Sequence, residues 1–101
     1  MAVSAKRMDD SPVLTITVEG KFDFSDHLDF RHCYESLGQT PEKYVIDLDK
    51  TSYLDSSALG MLLLLRDFAG GDQAKIDIIN SNADIKKILT ISNFQQLFHI
   101  Q

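Results

Sequence analysis

The chain has a single cysteine, Cys33, so no intramolecular disulfide can hold it and its stability must come from a buried core. Its longest unbroken apolar run covers residues 61–65, far short of the ~20 that span a bilayer. Residues 1–10 lack the apolar stretch of a signal peptide. Basic runs are missing as well: Lys86 and Lys87 form an isolated pair in a chain of formal net charge -5. A nucleic-acid binder needs a cationic face to neutralise phosphates, so no nucleic-acid partner is expected. No G-x-S-x-G element and no G-x-x-x-x-G-K-[ST] phosphate loop occurs. His27, His32, His99 and Cys33 have no familiar ligand spacing, so neither a metal nor another cofactor is expected. These absences predict a cytoplasmic protein without direct membrane insertion.

What is present fits one ordinary globular unit. With 101 residues, 44% apolar and 25% charged, the chain can bury one core but not two, so residues 1–101 are read as a single domain. Residues 13–18 (VLTITV) alternate with period two, as a half-buried strand does, and Gly20 ends the run. Asp10-Ser11-Pro12 before it is turn chemistry, which leaves room for a hairpin partner within residues 2–8. Residues 28–37 place Phe30, Cys33, Tyr34 and Leu37 on one helical stripe, with Ser25 or Asp26 as cap and Gly38 as stop. Pro41 separates this helix from a strand at 44–48 (YVIDL). After Thr51-Ser52-Tyr53-Leu54, residues 56–69 are rich in helix formers and close at Gly70-Gly71. A strand at 75–80, a helix at 83–91 and a short strand within 97–100 complete the order. Alternating strands and helices predict an α/β fold, a mixed sheet covered by helices.

The chemistry concentrates at Asp55-Ser56-Ser57, where a strand's exit loop meets a helix N-terminus. Unpaired N–H groups and the positive end of the helix dipole lie there. Two jobs suit these side chains. Asp55 or Ser56 can cap the helix, a contribution of about 1 kcal/mol. Alternatively, a serine here can accept a phosphoryl group, which adds about -1.5 to -2 charges and three strong acceptors.

The segment YLDSSALGMLLLL resembles the signature of the STAS family, in which an Asp-Ser-Ser/Thr-Gly-Leu-Gly-type motif opens the second helix. Gly20-Lys21-Phe22-Asp23 is similar to that family's early glycine-x-hydrophobic-Asp element. Residues 44–48, 83–89 and 97–100 are similar to its central strand, late helix and closing segment. The resemblance implies a sheet of four to five strands covered by three to four helices. It also implies a stand-alone anti-sigma factor antagonist in a partner-switching circuit, with no enzymatic activity. Its partners would be an anti-sigma factor that is a GHKL-type serine kinase and a PPM-type serine phosphatase. The acceptor maps to Ser56, with Ser57 as the neighbouring hydroxyl, and Asp23 maps to an acidic position near the acceptor. Ala58 departs from the pattern, since glycine is common there. The alternative within the family is a constitutive subunit or scaffold of a transport or signalling complex, without a phosphorylation cycle.

Helical spacing gives a second view of the same segment. Ala58, Met61, Leu62, Leu65, Phe68 and Ala69 gather on the expected core face, flanked by Leu59 and Leu64. Gly60 and Leu63 fall on the opposite side. With Asp23, Asp55, Ser56 and Ser57, these two residues make up the expected partner-binding patch. Asp47, Asp49 and Asp55 near one strand end read as solvated loop carboxylates rather than a Mg²⁺ site.

Overall fold

A computed structural model describes residues 3–7, 12–35 and 39–101. The described residues form seven strands and three α-helices, in the order β1 (Val3–Lys6), β2 (Val13–Val18), β3 (Gly20–Phe22), α1 (His27–Glu35), β4 (Lys43–Asp47), β5 (Thr51–Leu54), α2 (Ser56–Phe68), β6 (Ile76–Ile79), α3 (Ala83–Ile91) and β7 (His99–Ile100). The main sheet is mixed and five-stranded, in the order β1-β2-β4-β6-β7. β1 pairs antiparallel with β2, and every other pairing in this sheet is parallel. The expected mixed sheet covered by helices is therefore present.

Register follows from the period-two alternation. Leu14, Ile16 and Val18 of β2 point to one face and are buried, as are Tyr44 and Ile46 of β4. Ile16, Ile46 and Ile78 sit side by side across three parallel strands, all without exposed surface. Phe30 and Tyr34 of α1, Ala58, Leu62 and Leu65 of α2, and Ile85 and Leu89 of α3 join the same core. All three helices thus cover one face, and the molecule is only 19 Å through its thinnest direction. Shifting any of these strands by one residue would turn its apolar set away from the helices.

Several local expectations need correction. Gly20 does turn the chain, with φ +77, a conformation glycine adopts at no steric cost. It does not end the extended run, however, because Gly20–Phe22 is itself a strand. β3 pairs in parallel with β5 as a separate two-stranded sheet. The cap of the first helical segment is neither Ser25 nor Asp26. Asp23 caps a 3₁₀ turn, Phe24–Asp26, which runs directly into α1. Asp26 takes part reciprocally, its carboxylate accepting the Asp23 N–H. α1 begins at His27. The expected stop at Gly38, and the turn residues Asp10 and Ser11, lie outside the described residues.

Candidate functional site

β3 and β5 set the site because they run in parallel and end together, Phe22 opposite Leu54. The next residue on each strand is an aspartate that starts a helical segment. Asp23 Oδ1 accepts the Ser25 N–H at 3.0 Å and also the Ser25 hydroxyl. These hydrogen bonds, helped by nearby Lys21, hold the Asp23 carboxyl below its ordinary pKa against a small opposing effect of burial. Asp55 Oδ1 accepts the Ala58 N–H at 3.0 Å and caps α2. The Asp55 N–H in turn donates to the Phe22 carbonyl at 3.4 Å, which ties one exit to the other. Two helical N-termini are thereby presented side by side.

This settles which residue caps α2. Asp55 does, and Ser56, the first residue of the helix, is exposed. Among the described residues no hydrogen bond involves the Ser56 hydroxyl. The N–H groups of the first turn have no acceptor within the helix, so the position favours an anion. Ser57 is half-buried and turns toward α1. Ala58 is fully buried, so its departure from glycine adds a methyl to the core and leaves the outer surface unchanged.

Beyond the serines, α2 divides into faces largely as its spacing predicts, with Phe68 as the exception on the core face. Ala58, Met61, Leu62 and Leu65 are buried. Phe68, expected in the core, is 51% exposed and packs beside α1, while Leu65 of the same turn stays in the core. The Phe68 ring meets that of Tyr34 at a centroid distance of 5.0 Å. Leu64 is 61% exposed, and Leu63 is exposed one step round the helix. A shallow hollow of about 480 Å³ is lined by Phe24, His27, Ser57, Gly60, Met61 and Leu64. The structure therefore places Ser57 and Gly60 together in this hollow, while Asp23, Asp55 and Leu63 are not among its lining residues. Sequence reasoning missed Phe24 and Leu64. The signal for Phe24 was available in the form of a phenylalanine inside a capping segment, where the core cannot reach it.

The other polar candidates are held by contacts away from the Ser56 hydroxyl, His99 by Asp77 among them. His27 Nδ1 lies 3.0 Å from the Phe24 carbonyl, which accepts its proton, and the two rings stack at 4.3 Å. That nitrogen is thus engaged by backbone, not by a carboxylate as a catalytic triad requires. Asp47 Oδ1 accepts the Asp49 N–H and the Asn80 amide, whereas Asp55 caps α2. Among the described residues no three His, Cys, Asp or Glu side chains are grouped to hold a metal. Cys33 is half-buried against the core, where burial, reinforced by Asp29, pushes its thiol above the usual pKa. Among the described residues no helix is long and apolar enough to cross a membrane.

The family model described as Mlab, STAS domain matches residues 5–99, nearly the whole chain. The chain belongs to the STAS domain family. A STAS-domain containing protein of Pseudomonas aeruginosa (strain UCBPP-PA14) is 55% identical to it over 100 residues, 99% of either chain. Among solved structures, the anti-sigma factor antagonist SpoIIAA in its unphosphorylated form superposes with a TM-score of 0.76 at 16% identity, covering 99% of this STAS chain and 87% of SpoIIAA. The STAS domain of a SulP transporter from Vibrio cholerae superposes with a TM-score of 0.65 at 18% identity, covering 86% of this chain and 70% of that one. At such identities the two structures speak for the fold, which regulators and transporters share.

Proposed function

We propose that this STAS domain is an anti-sigma factor antagonist-like regulatory module. In its unphosphorylated form it binds an anti-sigma factor that is a GHKL-type serine kinase. Phosphorylation of Ser56 releases that partner, and a PPM-type serine phosphatase restores binding. The observation that carries this reading is the division of labour at the head of α2. Asp55 caps the helix, and the exposed Ser56 hydroxyl is left to react. A phosphate at Ser56 would sit at the positive end of α2 without disturbing the core. A partner docked over it would have to desolvate about two negative charges beside Asp55 and Asp23. A penalty of roughly 2–3 kcal/mol weakens binding about 30- to 150-fold.

The test uses Ser56→Ala and Ser56→Asp proteins as parallel baits in lysate of the native host, with bound proteins identified by mass spectrometry. A GHKL-type kinase held by the alanine protein and lost from the aspartate protein is the expected result. Equal capture of one partner by both baits would sink the switch. The fold match to a transporter's STAS domain supports a second reading, a constitutive subunit. Copurification of an unphosphorylated chain with a membrane ATPase would select it.

A further inference from the structure

Gly60 occupies the middle of α2, where a glycine costs helix stability relative to alanine. Nothing inside the chain requires it: its backbone is helical, and a Cβ built there meets no atom within 4 Å. What an added methyl would occupy is the hollow between α2 and the Phe24–His27 corner. The lining of that hollow is mostly apolar, with the His27 ring and Ser57 as its polar members, and Phe24 and Leu64 are 63% and 61% exposed. Its surroundings are acidic. Asp23 directly precedes Phe24, Asp55 caps α2 two residues before Ser57, and Asp67 follows Gly60 and Leu63 along the outer stripe of α2. Of the nearby cations, Arg31 is committed to Glu35 and Lys21 stands beside Asp23.

We propose that this hollow is the anchor site for an apolar side chain carried on a basic amphipathic helix of a separate protein. The inference rests on the partner-binding reading above and names the chemistry of the partner's contacting segment. Three features select that occupant. The missing Cβ at Gly60 leaves room for close approach, as helix-in-groove docking requires. The exposed Phe24 and Leu64 supply the desolvated centre typical of an anchor pocket. The aspartates around it complement lysine or arginine on the flanks of the incoming helix. A second copy of this chain fits worse, because pairing through this face would set Asp23, Asp55 and Asp67 against acidic groups of the same kind.

The test titrates the ¹⁵N-labelled full chain with a helical peptide of about four turns, leucines along one ridge and lysines on its flanks, and with its glutamate-flanked counterpart. The lysine peptide is expected to shift the amides of Phe24, Ser57, Gly60 and Leu64 and to bind about ten-fold or more tightly than the glutamate peptide. Leu64→Lys should weaken binding at least about ten-fold, and Ile91→Ser, on the exposed side of α3, should leave it unchanged. Gly60→Ala is the sharpest variant. It should raise the melting temperature by roughly 3–8 °C while weakening peptide binding, which separates loss of the site from loss of the fold. Equal affinity for both peptides, shifts centred elsewhere, no binding at all, or tighter binding by Gly60→Ala would overturn the proposal. So would concentration-dependent shifts of the same amides without peptide, which would assign the face to self-association. Ser56→Asp distinguishes the two readings. Retained partner capture by that protein sinks the phosphoswitch, whereas the hollow stands or falls with Leu64→Lys and Gly60→Ala.

Discussion

Asp55 offers a way to separate a structural carboxylate from a functional one. Its Oδ1 accepts the Ala58 N–H at 3.0 Å, and its charge lies at the positive end of a 13-residue helix that contributes Ala58, Met61, Leu62 and Leu65 to the core. Asp55→Asn keeps an acceptor oxygen and removes the charge, so it forfeits only the favourable interaction with the dipole, about 0.3–1 kcal/mol. Asp55→Ala also leaves the Ala58 N–H without its cap, a loss of about 1 kcal/mol within a range of 0.5–2. The alanine protein should therefore be less stable than the asparagine protein by about 1 kcal/mol, or roughly 4–8 °C in melting temperature for a domain near this size. Urea denaturation followed by circular dichroism at two salt concentrations measures both. Both deficits should shrink by a similar amount at high salt, because screening weakens the dipole interaction that both variants lack. Only the asparagine deficit should approach zero, since the alanine protein still lacks the hydrogen bond. Partner capture by the same pair then reads function. If Asp55 serves binding through its charge, both variants lose the partner; if it serves only as a cap, the asparagine protein keeps it. Equal stability of the alanine and asparagine proteins would refute the assignment of Asp55 as the cap of α2.

Three further outcomes follow from the packing and the polar contacts. Leu62→Ala should cost about 2–5 kcal/mol and Leu64→Ala less than about 0.5–1, since the first is fully buried and the second mostly exposed; similar costs in urea denaturation would mean that the helix is rotated. Thr51→Val should cost about 1–3 kcal/mol by the same assay, because the buried Thr51 hydroxyl donates to the Val18 carbonyl at 2.6 Å and valine leaves that acceptor unpaired; a neutral result would exclude the bond. Burial pushes the Asp77 carboxyl up, but hydrogen bonds from Lys43 and His99 outweigh it and hold its pKa below the ordinary value. A lowered folded-state pKa means stability that is present above the unfolded value near ~3.9 and is lost as pH falls through the folded one. Asp77→Asn should flatten the acid limb of the stability profile, and an unchanged limb would contradict this pairing.

The elements legible in the sequence are those long enough to show a period. β2 and α3 have the expected limits because six alternating residues and a nine-residue amphipathic turn sequence each contain several repeats. β3 and β5 were not legible. With three and four residues, and burial at only one or two of them, they carry no alternation to count. Their pairing is also parallel and non-local, so no hairpin turn announces it. The capping segment was misplaced by a few residues because its reciprocal pair is Asp23 with Asp26, and the familiar signal is a serine or threonine followed by glutamate or glutamine. Ser56 and Asp55 were legible as a pair, but which of them caps required the Ala58 contact. Phe68 and Leu64 illustrate a different limit. Spacing fixes which residues share a stripe, and only tertiary contacts decide whether the sheet, α1 or solvent lies opposite that stripe.

The topology of the five-stranded sheet also governs how quickly the chain reaches its native state. Only β1 and β2 meet through a local antiparallel connection, and β4, β6 and β7 each join their neighbour after a helical crossover. Closing those crossovers costs chain entropy before any interstrand contact repays it, which favours slower refolding than a chain of mainly local contacts would show. The row Ile16–Ile46–Ile78 is where those arrivals register, because each isoleucine finds its neighbour only once a crossover has closed. Ile46→Val is therefore expected to slow refolding as well as lower stability, whereas a change at the exposed Phe24 or Ser56 is expected to leave the refolding rate unchanged, with stopped-flow kinetics as the check.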